Sequence, residues 1–296
     1  MNKLGIFVNF WEKNWDVDYD KYIDKAADLG FDILEYQAQP LLDIDDARLR
    51  EIRAHADARG ITMTYSLGLD RRYDISSLDE SVRTGGVRYL TDIMKKMHVM
   101  GGNIISGVSY AGWGAPDCIL NDKRPLVEAS VRSMKELTRV AGELGITYCV
   151  ETVNRFENAL LNTAEEALAY VKAVDSPHIG VLLDTYHMNI EEASIGDAIR
   201  LVGKNLYAFH TGENNRTPPG MGFGHLDWDE IFKALSDIGF KGQIVSEPFV
   251  MMGGEVGRDI KVYRDLLPDS SEAALDKAAK GLLDFTKKKL VQYGMA

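Results

Sequence analysis

Eight times along this chain of 296 residues a short apolar run is followed by a helix-like stretch. The runs cover residues 4–10, 31–36, 61–66, 103–108, 146–151, 179–184, 206–210 and 243–247. Short, nearly continuous apolar runs are what strands buried on both faces of a parallel sheet require. Glycines punctuate the repeat. Gly30, Gly60 and Gly145 each precede a run, where a helix ends in a left-handed C-cap. Between the last two runs Asp227 and Glu230 have the spacing of a capping box. Trp228, Ile231, Phe232, Leu235 and Ile238 then fall on one helical face, and Gly239 ends it.

Eight such units predict an α/β fold, a (β/α)8 TIM barrel forming a single domain over residues 1–296. An open doubly wound sheet fits less well, because no Gly-x-Gly-x-x-Gly follows the first run. One helix-like segment is expected between each pair of the last four runs. A last helix is expected over 272–292, and segment 253–271 is expected as a long connection near the rim of the barrel.

Lys and Arg number 34 against 45 Asp and Glu, a net charge of −11. With no basic excess to meet phosphates, nucleic acid and anionic membrane are excluded as main partners. No apolar stretch approaches membrane-spanning length, and the first residues read as a strand rather than a leader. Cys118 and Cys149 form neither a disulfide framework nor a metal-spaced pair, and Cys149 reads as a core thiol. A reducing, cytoplasmic setting is expected.

Glu151, Asp184, His210 and Glu247 close the last four runs. A parallel barrel brings consecutive strand ends to one rim, where such barrels keep their chemistry. One such carboxylate could be a solvated rim acid. Four ionisable groups from consecutive units are harder to dismiss, because the three carboxylates among them would repel one another without a cation. Three carboxylates and one imidazole suit Mn²⁺, Mg²⁺ or Co²⁺ better than a thiolate zinc site. One divalent metal per subunit is therefore expected on Glu151, Asp184, His210 and Glu247. His55, His98 and His178 lie on helices or at the wrong strand end, and nothing fixes His225 at the rim.

The stretches Glu151-Thr-Val-Asn-Arg-Phe-Glu157, Asp184-Thr-Tyr-His-Met-Asn-Ile-Glu-Glu192, His210-Thr-Gly-Glu-Asn-Asn-Arg216 and Glu247-Pro-Phe-Val-Met-Met-Gly-Gly254 resemble the ketose 3-epimerases. These are the D-tagatose, D-psicose (allulose) and L-ribulose 3-epimerases of the xylose isomerase-like barrels. Gly5-Ile6-Phe7, Trp11-Glu12-x-x-Trp15, Leu29-Gly-Phe-Asp-Ile-Leu-Glu35 and Ile260-Lys-Val-Tyr-Arg-Asp265 extend the resemblance over nearly the whole chain. It implies the same four metal ligands, with Mn²⁺ or Co²⁺ as the usual metal. It further implies a substrate clamp of Glu157, His187 and Arg216, an apolar wall of Phe7, Trp15, Trp113 and Phe249, and a homodimer or homotetramer. Two segments depart from the family pattern, Val8-Asn9-Phe10 and the loop 217–228, and both are expected to line the site or an adjoining interface.

The chemistry implied is epimerisation at C3 of a free ketose, of the D-fructose/D-psicose, D-tagatose/D-sorbose or L-ribulose/L-xylulose type. It runs by deprotonation and reprotonation through a cis-enediolate. Inversion needs a base on one face and an acid on the other, and Glu151 and Glu247 are the candidate pair. An aldose–ketose or hydroxypyruvate isomerase on the same barrel is the alternative. A phosphosugar enzyme, a multi-zinc nuclease and a non-catalytic sugar binder fit less well.

Overall fold

The computed structural model describes residues 2–114 and 122–296. Cys118 lies outside the described residues. Among them, eight parallel strands close into a barrel in sequence order. They are β1 (Leu4–Phe7), β2 (Ile33–Gln37), β3 (Thr62–Ser66), β4 (Ile104–Ser106), β5 (Thr147–Glu151), β6 (Ile179–Asp184), β7 (Leu206–Thr211) and β8 (Gln243–Ser246). The helices outside are α1 (Tyr19–Leu29), α2 (Asp46–Arg59), α3 (Glu80–Met100), α4 (Arg124–Leu144), α5 (Ala164–Val174), α6 (Thr185–Glu191), α7 (Ile195–Val202), α8 (Trp228–Asp237), α9 (Gly254–Asp259) and α10 (Glu272–Gln292).

The chain is thus the TIM barrel that its alternating pattern predicts. Gly30, Gly60 and Gly145 end α1, α2 and α4 with positive φ. Asp227 accepts from the Glu230 N–H at the start of α8, but the Glu230 carboxylate takes Arg200 instead of completing the box.

Three details differ from expectation. The first run is strand only to Phe7, and Val8–Phe10 turn into a 3-10 helix. Val8 and Phe10 are apolar because they are buried, not because they are extended. Two helices rather than one, α6 and α7, join β6 to β7. The connection after β8 carries α9.

Residues alternate between the two faces of each strand. Outward-facing Val150, Leu183, Phe209 and Ile244 belong to the main apolar core under the helices. Inward-facing Cys149, Leu182 and Ala208, with Ile104 against them, form a separate small cluster inside the barrel. Cys149 is buried as a free thiol. Two residues further along each of those strands stand Glu151, Asp184 and His210. The even step keeps them on the inner face, directly above the apolar plug.

Candidate active site

Register brings the four groups together. Asp184 and His210 are direct neighbours across β6 and β7, and His210 pairs with Val245 on β8, two residues before Glu247. On the other side Glu151 pairs with Leu182, two residues before Asp184. Glu247 lies one residue beyond its strand, yet its N–H still donates to Thr211 O at 3.0 Å. Each of the four offers a ligand atom, and these atoms all lie within 4.8 Å of one another. All four residues are buried.

Burial pushes the Glu151 carboxyl well above the usual carboxylate range, and the nearby Glu247 charge adds to the rise. Burial also raises Glu247, against the pull of His210. Burial disfavours the His210 imidazolium, but Glu35 and Glu247 outweigh it and raise its pKa. Asp184 caps α6, with Oδ1 accepting from the N–H groups of Tyr186 and His187. Cation ligation suits these groups physically: Glu151 Oε1 and His210 Nδ1 are buried without a hydrogen-bond partner. Their donor set of carboxylate oxygens and one imidazole is that of a hard divalent ion.

A cavity opens above the cluster. It is lined by Glu151 and Glu247 and by all seven residues expected at the substrate: Phe7, Trp15, Trp113, Glu157, His187, Arg216 and Phe249. Asp184 and His210 sit behind that surface. Gln37 on β2 and Ser66 on β3 also line it. Sequence reading missed both, because a polar residue at a strand end carries no mark of what it will face.

His187 has a fixed proton. Its Nδ1 takes the Asn154 backbone N–H at 3.2 Å and the Asn154 side-chain amide at 2.8 Å. The Asn154 Oδ1 accepts from the Phe156 N–H, so the nitrogen of that amide is the one facing His187. A ring nitrogen that accepts from a backbone N–H carries no proton, so the proton is on Nε2. Burial holds the imidazole below its usual pKa, and it stays neutral. Nε2 lies 3.8 Å from Glu151 Oε1 and 3.2 Å from Arg216 Nη2. Arg216 can only donate, so this close approach sets two N–H groups against each other, an arrangement that an electron-rich oxygen between them would relieve. Asn154, which fixes this arrangement, stands within the Glu151–Glu157 stretch, where an amide carries no sequence mark of its partner.

Arg216 is itself held. Its guanidinium lies 3.4 Å from Glu157, 4.3 Å from the Tyr186 ring centre and 5.1 Å from that of Phe249. Burial would raise the Glu157 carboxyl, but Arg216 outweighs it and holds it below the usual range. Glu213 does not pair with the Arg216 side chain; it accepts from Trp228 Nε1 at 2.8 Å. The Arg216 backbone is left-handed, φ 61°, a strained setting for a residue with a Cβ. Its N–H donates to Glu213 O at 2.8 Å, and Thr217 O takes the Glu213 N–H at 2.9 Å, closing the turn that imposes it.

The aromatics form one wall. Phe7 and Phe249 ring centres are 5.6 Å apart, and Trp15 meets Phe249 edge-on at 6.5 Å. Trp113 Nε1 donates to Glu157 at 3.3 Å, and Trp15 Nε1 donates to Asp259 on α9 at 2.9 Å. Segment 253–271 reaches the rim as expected, with Ile260 lining the cavity. Neither departing segment lines it. Val8–Phe10 are buried and absent from the lining, and the exposed Met221 and Phe223 of loop 217–228 lie outside it as well. The remaining histidines take no part in the cluster: His55 pairs with Asp20 and Asp24, and His98 meets Leu144 O.

Fold and site together define a barrel of the xylose isomerase-like class, and residues 23–267 match the family described as Xylose isomerase-like TIM barrel. D-psicose 3-epimerase of Ruminiclostridium cellulolyticum is 44% identical over 96% of this chain and 97% of its own length. D-psicose 3-epimerase of Enterocloster bolteae is 41% identical over 96% and 95%. The crystal structure of D-psicose 3-epimerase with D-tagatose from Clostridium cellulolyticum H10 matches with a TM-score of 0.94 at 44% identity, covering 97% of this chain and 99% of that one. The chain belongs to the ketose 3-epimerases of this barrel family, which are isomerases. None of the helices is long and apolar enough to cross a membrane, among the described residues.

Proposed function

We propose that this chain epimerises free ketoses at C3, with Glu151 and Glu247 as the acid–base pair. The observation that carries the reading is the convergence of Glu151, Asp184, His210 and Glu247 within 4.8 Å, below a cavity lined by paired donors. The similarity to D-psicose 3-epimerases favours the D-fructose/D-psicose pair over the D-tagatose/D-sorbose and L-ribulose/L-xylulose pairs.

Glu151, Asp184, His210 and Glu247 would hold one divalent ion per subunit, Mn²⁺ or Co²⁺ foremost and Mg²⁺ admissible by donor chemistry. When bound, that ion supplies positive charge that stabilises an enolate developing on the sugar. The chain's own groups do the rest. Glu151 takes the C3 proton from one face and leaves a cis-enediolate; Glu247 returns a proton to the other face, and the roles exchange for the reverse reaction. His187 Nε2–H and Arg216 grip oxygens at the reacting end. Glu157 holds the guanidinium in place. Phe7, Trp15, Trp113 and Phe249 close the apolar side and keep water from the intermediate. A homodimer or homotetramer in the cytoplasm is the assembly and setting that accompany this reading.

Loss of deuterium from C3 of a panel of ketoses, with and without Mn²⁺, tests the proposal. C3 exchange that depends on Mn²⁺ supports it. Exchange at C1 with aldose formation would establish the aldose–ketose isomerase instead. Tight ketose binding without exchange would make the protein a binder.

A further inference from the structure

Glu35 is a buried acid that the proposed reaction leaves without a task. It stands on β2, across the barrel from the cluster, and its side chain is 0% exposed. Phe7, Glu35 and Thr64 are ladder neighbours on β1, β2 and β3, so they share the inner face. Thr64 Oγ1 donates to Glu35 Oε2 at 2.8 Å. Glu35 Oε1 lies 3.0 Å from His210 Nε2, a close contact outside hydrogen-bond geometry, and neither atom has another hydrogen-bond partner. The other ring nitrogen, Nδ1, faces Glu247 Oε2 at 3.8 Å. Among the described ion pairs, His210 is the one partner Glu35 has. A carboxylate without water or a partner costs several kcal/mol, so a fully buried acid has a strong physical reason to face that ring.

An imidazole ligates a cation only through a nitrogen that carries no proton. For Nδ1 to point a lone pair into the cluster, the ring proton must sit on Nε2. A carboxylate beside Nε2 favours that tautomer, sets the ring plane and makes the ligating nitrogen more basic. We propose that Glu35 is a positioning residue for the cation site, holding His210 with Nδ1 aimed at the cluster, and that Thr64 orients Glu35. Glu35 does not line the cavity, so it acts through His210 and not on the sugar. The inference rests on the cluster being a cation site, and its test separates the two claims.

The test measures Mn²⁺ affinity by calorimetry for the wild type, Glu35→Gln and Glu35→Leu, with the KM for ketose at saturating Mn²⁺ as a second readout. Gln keeps shape and an acceptor; Leu keeps bulk and removes both acceptor and charge. Affinity is expected to fall in the order wild type, Gln, Leu, by about 10–100-fold at the end of the series, with KM little changed. Wild-type affinity in the Leu variant would overturn the assignment of Glu35. Absence of Mn²⁺ binding in the wild type would overturn the cation site itself. Should a variant fail to fold, proton NMR of the Mg²⁺-loaded wild type still decides. The Glu35 assignment requires the His210 Nε2–H resonance far downfield and slow to exchange, and the shift of a free imidazole would refute it.

Discussion

The inner faces of the two halves of the barrel are built differently. Strands β5–β8 end in Glu151, Asp184, His210 and Glu247. Strands β1–β3 end in Phe7, Gln37 and Ser66, which carry no charge. One half gathers charge over an apolar plug of Cys149, Leu182 and Ala208. The other half presents aromatic and amide surface to the cavity, with Glu35 buried out of the lining. The contrast teaches that reactivity and fit can be held on separate strands. Three acids sit on one side, where a cation can neutralise their repulsion; on the opposite half Glu35 reaches across to His210 from below, and the surface left facing the cavity there is uncharged. Arg216, with its strained backbone, follows β7 and ties the charged half to the aromatic wall: its guanidinium contacts Glu157, His187 and the Phe249 ring, and that ring packs on Phe7.

Removing a reactive group from the charged half is expected to have the largest effect. Glu151→Gln or Glu247→Gln should lower turnover by about 10³-fold or more, since both proton transfer and ligation are lost. Either variant within tenfold of wild type would break the division of labour.

Disturbing the junction comes next. Arg216→Lys loses the planar fork that reaches His187 and Glu157 together. A loss of about 10–100-fold in kcat/KM is expected, from charged hydrogen bonds worth roughly 1.5–3 kcal/mol. Steady-state kinetics that match wild type would show that the seat for oxygen is built elsewhere.

A pH series sharpens the electrostatic side. Without a cation, the Glu151 and Glu247 carboxyls titrate above their ordinary range. Folding therefore keeps their protons where the unfolded chain has lost them. Their contribution favours the fold below the ordinary carboxylate pKa and is lost as pH rises through the raised folded values. Mn²⁺ bound at the cluster would displace those protons, so its affinity should climb over that window by up to about tenfold per pH unit for each proton released. Calorimetry across pH checks this, and an affinity flat from pH 5 to 8 would contradict it.

The smallest effects belong to the neutral wall. Phe249→Leu should change KM and the ranking of ketoses by a few fold, about 1 kcal/mol, with kcat nearly kept. A large fall in kcat would mean that the wall takes part in the chemistry.

How much was legible in the chain differs between these halves. The four groups at the ends of β5–β8 could be read because each terminates an apolar run, and a parallel barrel sends every strand end to the same rim. The helix ends at Gly30, Gly60 and Gly145 were legible for a local reason, the backbone conformation that glycine permits. Val8–Phe10 misled because burial and extension leave the same apolar mark. Gln37, Ser66, Asn154 and Glu35 gave no warning, since a polar residue in a motif or strand does not announce its partner.

The sequence by itself determined the barrel, its helix ends and the set of four groups above the plug, because these depend on period, caps and order along the chain. Tertiary structure alone decided that Glu35 backs His210 at 3.0 Å, that Asn154 leaves His187 with its proton on Nε2, and that Arg216 is turned toward Glu157. Those contacts join residues far apart in sequence across a closed barrel, and closure is what sets which inward side chains meet.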